Sequence, residues 1–304
     1  MNFTLIIPTY NAGDLGVEWI KRYQSQSLKA NKVIVIDSSS IDQTVQLAQQ
    51  AGFFVYKIAK SEFNHGGTRN LAVQFIEPNT EILVFMTQDA LFASPNSLEN
   101  LLKPFEDPNV AAVCGRQLPH KNANPLATHA RLFNYPEDSK IKSLSDVSKL
   151  GIKTAFMSNS FAAYRKSVFE ELGGFPNNTI LAEDMYLTAK MLLAGYKVAY
   201  CAEAEVYHSH NYSLKQEFQR YFDTGVFQAN EPWIQQNFGK ASGEGTKFVL
   251  SEIKYLLNNN PMYLPRAFFS TLMKYIGFKL GLNWNKLPNN WLKKLSMYRE
   301  YWKQ

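Results

Sequence analysis

Carboxylate and imidazole side chains follow the ends of predicted strands in this chain. Asp89 comes directly after the apolar run in ILVFMTQDA, and His208 and His210 follow a second run in VYHSHNYS. A carboxylate after a buried strand can ligate Mg²⁺ or a metal-bound phosphate, and two imidazoles on one face can ligate a metal. An ordinary loop acid and an exposed loop pair fit the same spacing, so these residues alone leave the metal site open.

Glu183 and Asp184 precede a predicted helix, after the turn GGFPNN. One of the two carboxylates could act as a general base if it faces a pocket. Two acids at a helix N-terminus are also favoured by the helix dipole, which is a sufficient structural reason for the pair. The pattern therefore identifies a candidate base without excluding a purely structural role.

Two further groups of polar residues could contact a nucleotide. Asp37 and Asp42 follow the strand-like run KVIVI and could accept hydrogen bonds from a base or a ribose, although a turn residue and a helix N-cap fit equally. Arg69 and Asn70 follow two glycines that would let the backbone approach a phosphate or base, although a plain helix start fits as well. The chain contains neither GxGxxG nor GxxxxGK[ST], so these two phosphate-binding motifs are absent.

The first half of the chain alternates predicted strands and helices, a pattern typical of βαβ units with a mostly parallel sheet. The predicted strands are Phe3–Pro8, Lys32–Ile36, Phe53–Ile58 and Glu81–Met86, and the predicted helices are Leu15–Gln26, Asp42–Ala51 and Arg69–Phe75. In such sheets ligands bind beyond the carboxyl ends of the strands. The polar residues of this half follow those ends, which favours one shared site.

The second half is less regular and becomes helical towards its end. Residues 118–149 are rich in Pro, Asn, His and charge and predict a loop with a helix or two; from Ser213 onward the pattern is helical. The other predicted strands are Val110–Gly115, the inserted Ala155–Tyr164, Lys197–Tyr200 and Glu205–Tyr207, and the predicted helices are Lys166–Leu172 and Leu181–Ala194.

Composition excludes several classes of protein. The 304 residues are 45% hydrophobic and 14% aromatic, which excludes intrinsic disorder. Two cysteines, Cys114 and Cys201, are too few for a disulfide framework, so a reduced cytoplasmic location is expected. The first residues lack the features of a signal peptide, and no apolar run reaches the roughly 18 residues of a membrane-spanning helix.

The net charge of +6 is confined to the end of the chain. Residues 266–304 hold eight Lys or Arg and one acid, whereas the other 265 residues hold 24 basic and 25 acidic side chains. Helical spacing places Phe268, Leu272, Tyr275 and Ile276 on one side, and Trp284, Trp291 and Trp302 follow. A basic aromatic segment of this kind suits an anionic membrane surface, but a helical subdomain packed on the body or a dimer interface fits too. Nucleic acid is disfavoured because no binding module accompanies the aromatic residues.

The order of the motifs resembles the family 2 glycosyltransferases with the GT-A fold. The motifs are IIPTYNAG, VIVIDSSSIDQT, FNHGGTRNLA, ILVFMTQDA, GGFPNNTILAEDMYLTAKMLLAGYKVAY and VYHSHNYS, over about residues 1–230. Within that family, TQDA, GGFP…AED and HSH are most similar to bacterial rhamnosyltransferases that use dTDP-L-rhamnose. The resemblance implies an α/β fold with a mixed, mostly parallel sheet flanked by helices, which forms a catalytic domain, 1–230. A basic aromatic helical extension, 231–304, lies outside the match and is predicted from its helical pattern and its charge.

The resemblance also assigns the donor-binding residues. The loop after the first strand would hold the nucleobase, the acid after the second strand would contact base or ribose, and the G-x-x-R-N segment would lie beneath them. The family's Asp-x-Asp motif falls on Thr87-Gln88-Asp89, with its first acid replaced. The implied nucleotide-binding residues are Pro8, Thr9, Tyr10, Asn11, Asp37, Gly66, Arg69, Asn70 and Gln88. Arg220 is implied as a diphosphate contact, because the residues around it weakly match the family's Gln-x-x-Arg-Trp motif.

By the same resemblance, Asp184 is the catalytic base, and Asp89 and His208 hold a divalent cation, Mg²⁺ or Mn²⁺, with His210 as a neighbour whose part stays open. The expected reaction is an inverting transfer of L-rhamnose from dTDP-L-rhamnose to a surface polysaccharide or lipid-linked oligosaccharide of the O-antigen or capsule type. A UDP-sugar donor, or a non-catalytic nucleotide-sugar-binding subunit, are the alternatives. The expected location is cytoplasmic, with peripheral contact at the inner face of the membrane, and a homo-oligomer is left open.

Overall fold

A single nine-stranded sheet flanked by helices forms the body of the computed structural model, which describes residues 1–239 and 243–303. The strands are β1 (Phe3–Thr9), β2 (Lys32–Asp37), β3 (Phe54–Lys57), β4 (Ile82–Met86), β5 (Leu91–Phe92), β6 (Val110–Leu118), β7 (Lys140–Lys142), β8 (Phe161–Arg165) and β9 (Lys197–Tyr207). Their order is β3-β2-β1-β4-β8-β6-β9-β5, and β7 pairs with β9.

The helices are α1 (Gly13–Gln24), α2 (Thr44–Gln50), α3 (His65–Val73), α4 (Ser97–Leu102), α5 (Pro125–Asn134), α6 (Val147–Leu150), α7 (Lys166–Glu171), α8 (Glu183–Leu193), α9 (Leu214–Asn230), α10 (Pro232–Phe238), α11 (Glu244–Asn259), α12 (Leu264–Gly281) and α13 (Asn289–Leu295). Short 3₁₀ turns complete the described elements at Lys60–Glu62, Lys103–Glu106, Leu144–Asp146, Gly151–Ala155, Pro261–Tyr263, Trp284–Lys286 and Arg299–Lys303.

The pairing of the sheet confirms the predicted mixed α/β fold. Parallel pairs join β3, β2, β1 and β4, and β6 pairs in parallel with β9. The inserted strand β8 is antiparallel to both β4 and β6 and joins the two parts. The carboxyl ends of β1, β2 and β4 therefore lie at one edge, where the candidate polar residues follow them.

Three sequence predictions about strands need correction. The predicted strands Lys197–Tyr200 and Glu205–Tyr207 are one strand, β9, because a register shift lets it stay paired with β6 across the irregular residues between them. The inserted strand begins at Phe161 instead of Ala155, since a 3₁₀ turn takes up Gly151–Ala155. The short strands β5 and β7 carry too few residues to show a periodic pattern.

Successive side chains of a strand point to opposite faces of the sheet and pack into two different hydrophobic layers. Ile34 and Ile36 of β2 pack into the layer on one face, and Val33 packs into the layer on the other. This follows from the two-residue period of a strand and fixes the register of the sheet. Both faces are covered by helices, which explains why the central strands read as continuous apolar runs.

The last helices pack closely on the body. A Cβ added to Gly281 of α12 would lie 2.0 Å from the carbonyl oxygen of Phe222 in α9, and one added to Gly277 would lie 2.3 Å from that of Phe218. Only glycine permits so close an approach of two helix backbones. Trp284 and Trp302 pack against the main core, whereas Trp291 is exposed.

The predicted boundary at 230/231 falls between α9 and α10, and the division into two domains stays a prediction. Lys240, Ala241, Ser242 and Gln304 of the predicted extension lie outside the described residues. Among the helices described, none has both the length and the apolar character needed to cross a membrane.

Candidate active site

Asp89, His208 and His210 form one cluster, although 119 residues separate the first from the second. His208 Nε2 lies 3.5 Å from Asp89 Oδ1, and His210 Nε2 lies 3.7 Å from Asp89 Oδ2. Asp89 follows β4, and the two histidines follow β9. The family resemblance implied that Asp89 and His208 share a site, and these distances bring the two side chains together; their binding of a cation stays a prediction.

Backbone contacts hold this cluster in place. The N–H of His208 donates to the carbonyl of Leu118 at 2.9 Å, which continues the β6–β9 pairing up to the site. His120 Nε2 lies 3.3 Å from the Asp89 carbonyl oxygen. The ring of His210 stacks on Tyr212 with centroids 5.0 Å apart. Both strand ends are thus fixed before any ligand binds.

The electrostatics of the cluster favour an ionised carboxylate beside neutral imidazole. Burial disfavours the charge of Asp89, but the imidazolium form of His208, which can donate to this carboxylate, outweighs burial and holds the pKa of the carboxyl below its usual range. Burial, with a smaller effect from His208, lowers the pKa of His210 to about 4. At neutral pH His210 therefore offers a nitrogen lone pair next to the charge of Asp89.

The donor set fits a divalent cation. One carboxylate and two imidazoles present ligand atoms within 4.8 Å of one another, and this combination suits Mn²⁺ and related ions. Thr87 stands where the family motif has its first acid, and its buried hydroxyl lies beside the Asp89 carboxylate.

Glu183 and Asp184 lie at the start of α8 and share one partner, Asn159. The backbone N–H of Asn159 donates to Asp184 Oδ2 at 2.9 Å, and its side-chain amide donates to Glu183 Oε1 at 2.9 Å. Arg69 Nη1 lies 3.1 Å from the same Glu183 oxygen, with both side chains buried. The other Asp184 oxygen accepts from the N–H of Met185 at 2.8 Å.

The two adjacent carboxylates have pKa values displaced in opposite directions. Burial, together with the charge of Glu183, raises the pKa of Asp184 to about 7. Burial also opposes ionisation of Glu183, but the Arg69 guanidinium outweighs it and lowers the pKa of that carboxyl. Glu183 is then the permanent charge and Asp184 the proton acceptor, which is the division of roles that acid–base catalysis needs.

The predicted nucleobase loop is tied to its neighbours by side-chain hydrogen bonds. The N–H of Tyr10 donates to Gln88 Oε1 at 2.8 Å, and Gln88 Nε2 donates to the Tyr10 carbonyl at 3.0 Å. Asn11 has a φ of 46°, and its side chain accepts from the N–H of Ile41 at 2.9 Å. Pro8 lies in β1 opposite Ile36. The loop and the motif after β4 therefore form one preorganised surface.

Asp37 is fully buried, and its carboxylate holds this loop. Its oxygens accept from the hydroxyl of Thr9 at 3.1 Å and from the N–H of Ser40 at 2.8 Å. Direct contact of Asp37 with a base or ribose stays a prediction.

The G-x-x-R-N segment joins α3 to the loop before α8. A Cβ added to Gly66 would lie 2.0 Å from the Pro176 carbonyl oxygen, and Asn70 exchanges hydrogen bonds with the backbone of Phe175 at 2.7 and 3.0 Å. Packing between these two segments is enough to explain both residues, and their predicted contact with the nucleotide is untested. Arg220 on α9 is exposed and lies over the Tyr212 ring, 5.8 Å from its centroid.

Three residues of the site carried no recognisable signal in the sequence. Asn159 and Gln117 are neutral amides outside any motif; Gln117 Oε1 lies 2.8 Å from His208 Nδ1. Tyr298, near the end of the chain, packs edge-on against His65 with centroids 4.6 Å apart. Its backbone is held by Asp223, whose carboxylate accepts from the N–H groups of Met297 and Tyr298 at 2.9 and 3.3 Å.

Comparison with known proteins agrees with this geometry. Residues 4–173 match the Glycosyl transferase family 2 profile. The chain is 58% identical to the O-antigen chain rhamnosyltransferase WbaN of Salmonella anatum over 302 residues, covering 99% of this chain and 96% of that protein. It is 57% identical to the O-antigen chain rhamnosyltransferase RfbN of Salmonella typhimurium, with the same coverage.

Solved structures share the fold at low sequence identity. A mannosyltransferase from Pyrobaculum calidifontis, in complex with GDP-Man and Mn²⁺, has a TM-score of 0.56 and 20% identity over 99% of this chain and 85% of that one. TarS 1–349 of S. aureus, in complex with UDP-GlcNAc, has a TM-score of 0.54 and 14% identity over 94% and 92% of the two chains.

Proposed function

The chain belongs to glycosyl transferase family 2 and is a glycosyltransferase, and we propose that it transfers L-rhamnose from dTDP-L-rhamnose to a hydroxyl of an O-antigen type polysaccharide or lipid-linked oligosaccharide. The two Salmonella relatives are each more than 50% identical to this chain, and their names support rhamnose as the sugar and an O-antigen chain as the product. The identity of the nucleotide, dTDP, rests only on the resemblance to bacterial rhamnosyltransferases of this family.

The arrangement of Asp184 carries the proposal of catalysis. An acceptor hydroxyl is a poor nucleophile near neutral pH, so a positioned base must take its proton as it attacks the anomeric carbon. Asp184 has a pKa near 7, and two backbone N–H groups fix its carboxylate. One displacement from the face opposite the leaving group inverts the anomeric configuration.

The other residues hold the donor in this proposal. Tyr10, Asn11 and Gln88, which are tied together by hydrogen bonds, would contact the nucleotide, and Asp89 and His208 would hold a divalent cation. A bound Mg²⁺ or Mn²⁺ would neutralise the negative charge that develops on the departing nucleoside diphosphate. Arg220, exposed on α9 beside Tyr212, would add positive charge to the diphosphate site.

A donor screen tests the proposed substrate. The purified full-length protein is incubated with Mn²⁺, a glycan acceptor fraction and each of dTDP-L-rhamnose, UDP-GlcNAc, UDP-galactose and GDP-mannose, and release of nucleoside diphosphate is measured. Acceptor-dependent release of dTDP at the highest rate is expected. Faster release of UDP or GDP would contradict the donor assignment, and release from none would support a non-catalytic binding subunit.

We also propose peripheral contact with an anionic membrane, through a surface on α11 and α12 that we call the apolar face. Helix α12 buries small side chains and glycines against α9 and turns its large apolar side outward; Phe268 is 66% exposed and Tyr275 61%. The exposed apolar residues of both helices are Leu250, Ile253, Leu257, Phe268, Phe269, Leu272, Tyr275 and Ile276.

The charge around the apolar face favours lipid over a second copy of the chain. Lys254, Arg266 and Lys279 are exposed on the same two helices. The acids of α11 are engaged within the chain, since Glu252 is buried and Glu244 is paired with lysines. Two such cationic surfaces would repel each other, whereas anionic headgroups complement the cations and the acyl boundary takes up the aromatic rings. A homo-oligomer stays a prediction.

Vesicle flotation tests the apolar face. The double variant Phe268→Ser, Phe269→Ser is expected to bind vesicles containing phosphatidylglycerol about tenfold more weakly than the wild type, because two partly exposed rings no longer insert. Val17→Ser on α1, an exposed apolar residue remote from α12, is the matched control. Equal binding by the double variant, or equal wild-type binding to neutral vesicles, would contradict the proposal.

A further inference from the structure

The two imidazoles beside Asp89 differ in what holds their second ring nitrogen. His208 Nδ1 lies 2.8 Å from Gln117 Oε1, whereas His210 forms no side-chain hydrogen bond within the described residues and stacks on Tyr212. Gln117 is 2% exposed and lies on β6, outside every motif that the sequence analysis identified. The difference bears on which histidine is prepared to bind a cation.

Gln117 can take only one orientation in this environment. Arg131 of α5 donates through Nη1 to Gln117 Oε1, and a guanidinium has donors only, so the amide oxygen must face it. The amide nitrogen then points the other way, where Gln117 Nε2 donates to Ser158 Oγ at 2.9 Å. Burial excludes bulk water as a substitute partner for either group.

The orientation of Gln117 dictates the state of the neighbouring imidazole. Because the amide oxygen is an acceptor, His208 Nδ1 must carry the hydrogen. In the neutral ring the lone pair then resides on Nε2, which faces Asp89 Oδ1 at 3.5 Å. Metal-bound histidines are oriented in the same way, by a hydrogen bond from the ring nitrogen that does not bind the metal.

From this geometry we infer that Gln117, itself oriented by Arg131, is a positioning residue that fixes His208 as the Nδ1–H tautomer and aims its Nε2 lone pair at the cation site. The inference rests on the proposed function for the identity of the cation, but the tautomer is a property of the metal-free protein. It also assigns unequal parts to the two histidines: His208 is preorganised, and His210 is free to adapt.

The tautomer is read directly by two-bond ¹H–¹⁵N spectra of the full-length, metal-free protein, recorded as a pH series up to the point where the His208 ring signals no longer change. Wild-type His208 is expected in the Nδ1–H form, and Gln117→Leu in the Nε2–H form. Mn²⁺ binding, followed by electron paramagnetic resonance without any sugar donor, should weaken about 10- to 100-fold in Gln117→Leu.

Two further variants keep the test decisive. Gln117→Glu retains an acceptor for His208 Nδ1 and for Arg131, so it should keep the Nδ1–H form and wild-type or tighter Mn²⁺ binding. Ser158→Ala removes a partner of Gln117 but not of His208, so the tautomer of His208 and the affinity for Mn²⁺ should both match the wild type. An Nε2–H His208 in the wild type, or weakened Mn²⁺ binding in Gln117→Glu equal to that in Gln117→Leu, would overturn the inference. A failed donor screen would leave the tautomer result unaffected.

Discussion

Replacing Asp184 with Asn is expected to lower kcat for sugar transfer by about 10²–10⁴-fold, the usual contribution of a positioned general base. The substitution keeps the size of the side chain, although its single amide oxygen can accept only one of the two backbone N–H bonds, and it removes the site that takes the proton of the acceptor. The dissociation constant of the donor, measured by calorimetry in the presence of Mn²⁺, should change little.

The same carboxylate should control the pH dependence. With a pKa of about 7, Asp184 is protonated and inactive in acid, so kcat/KM should rise with pH and level off above neutrality. The Asn variant should lose this limb of the profile. Asp14→Asn, a substitution of an exposed acid on α1, is the matched control and should behave as the wild type. Wild-type turnover in Asp184→Asn would remove this residue as the base.

Replacing Asp89 with Asn is expected to lower kcat/KM by about 100-fold or more, because the cation loses its only carboxylate among the three clustered side chains. The wild type should lose activity on addition of EDTA and regain it with Mn²⁺, whereas the residual activity of the variant should respond to neither. Donor binding should weaken in parallel.

Asp107→Asn, which removes a surface partner of Lys197, is the control for loss of an acidic side chain. If Asp89→Asn binds donor as tightly as the wild type, with and without EDTA, Asp89 is not a ligand of the cation.

The strand ends were the most predictable part of the site. TQDA and HSH each follow an apolar run, and the family resemblance implied that Asp89 and His208 share a site; the two side chains lie 3.5 Å apart. The replacement of the first motif acid by Thr87 was visible in the sequence. The position of its buried hydroxyl beside the Asp89 carboxylate could only be found in the structure.

The supporting residues could not be predicted because their roles depend on distant partners. Asn70 bonds the backbone of Phe175, 105 residues away, and Gln117 meets His208 at a separation of 91. Neutral amide side chains such as those of Gln117 and Asn159 carry no charge and follow no periodic pattern, so nothing in the sequence marks them as functional. Gln117 meets His208 because β6 and β9 are neighbours in the sheet although they are far apart in the chain, and local patterns do not encode that pairing.

Helix α12 shows a different limit of sequence reasoning. Its spacing correctly separates Phe268, Leu272 and Tyr275 from the opposite face. Apolar residues normally face the protein, yet here the glycine face is buried because it allows α9 to approach, and the aromatic face remains exposed. Periodicity identifies two faces but not which one contacts the body.

The stereochemistry of transfer tests most directly the claim that Asp184 activates the acceptor for a single displacement. The product formed from dTDP-L-rhamnose is followed by ¹H NMR, which distinguishes the two anomers from their one-bond carbon–hydrogen couplings. A single displacement predicts a rhamnosyl linkage whose anomeric configuration is opposite to that of the donor. A linkage that retains the donor configuration would contradict it.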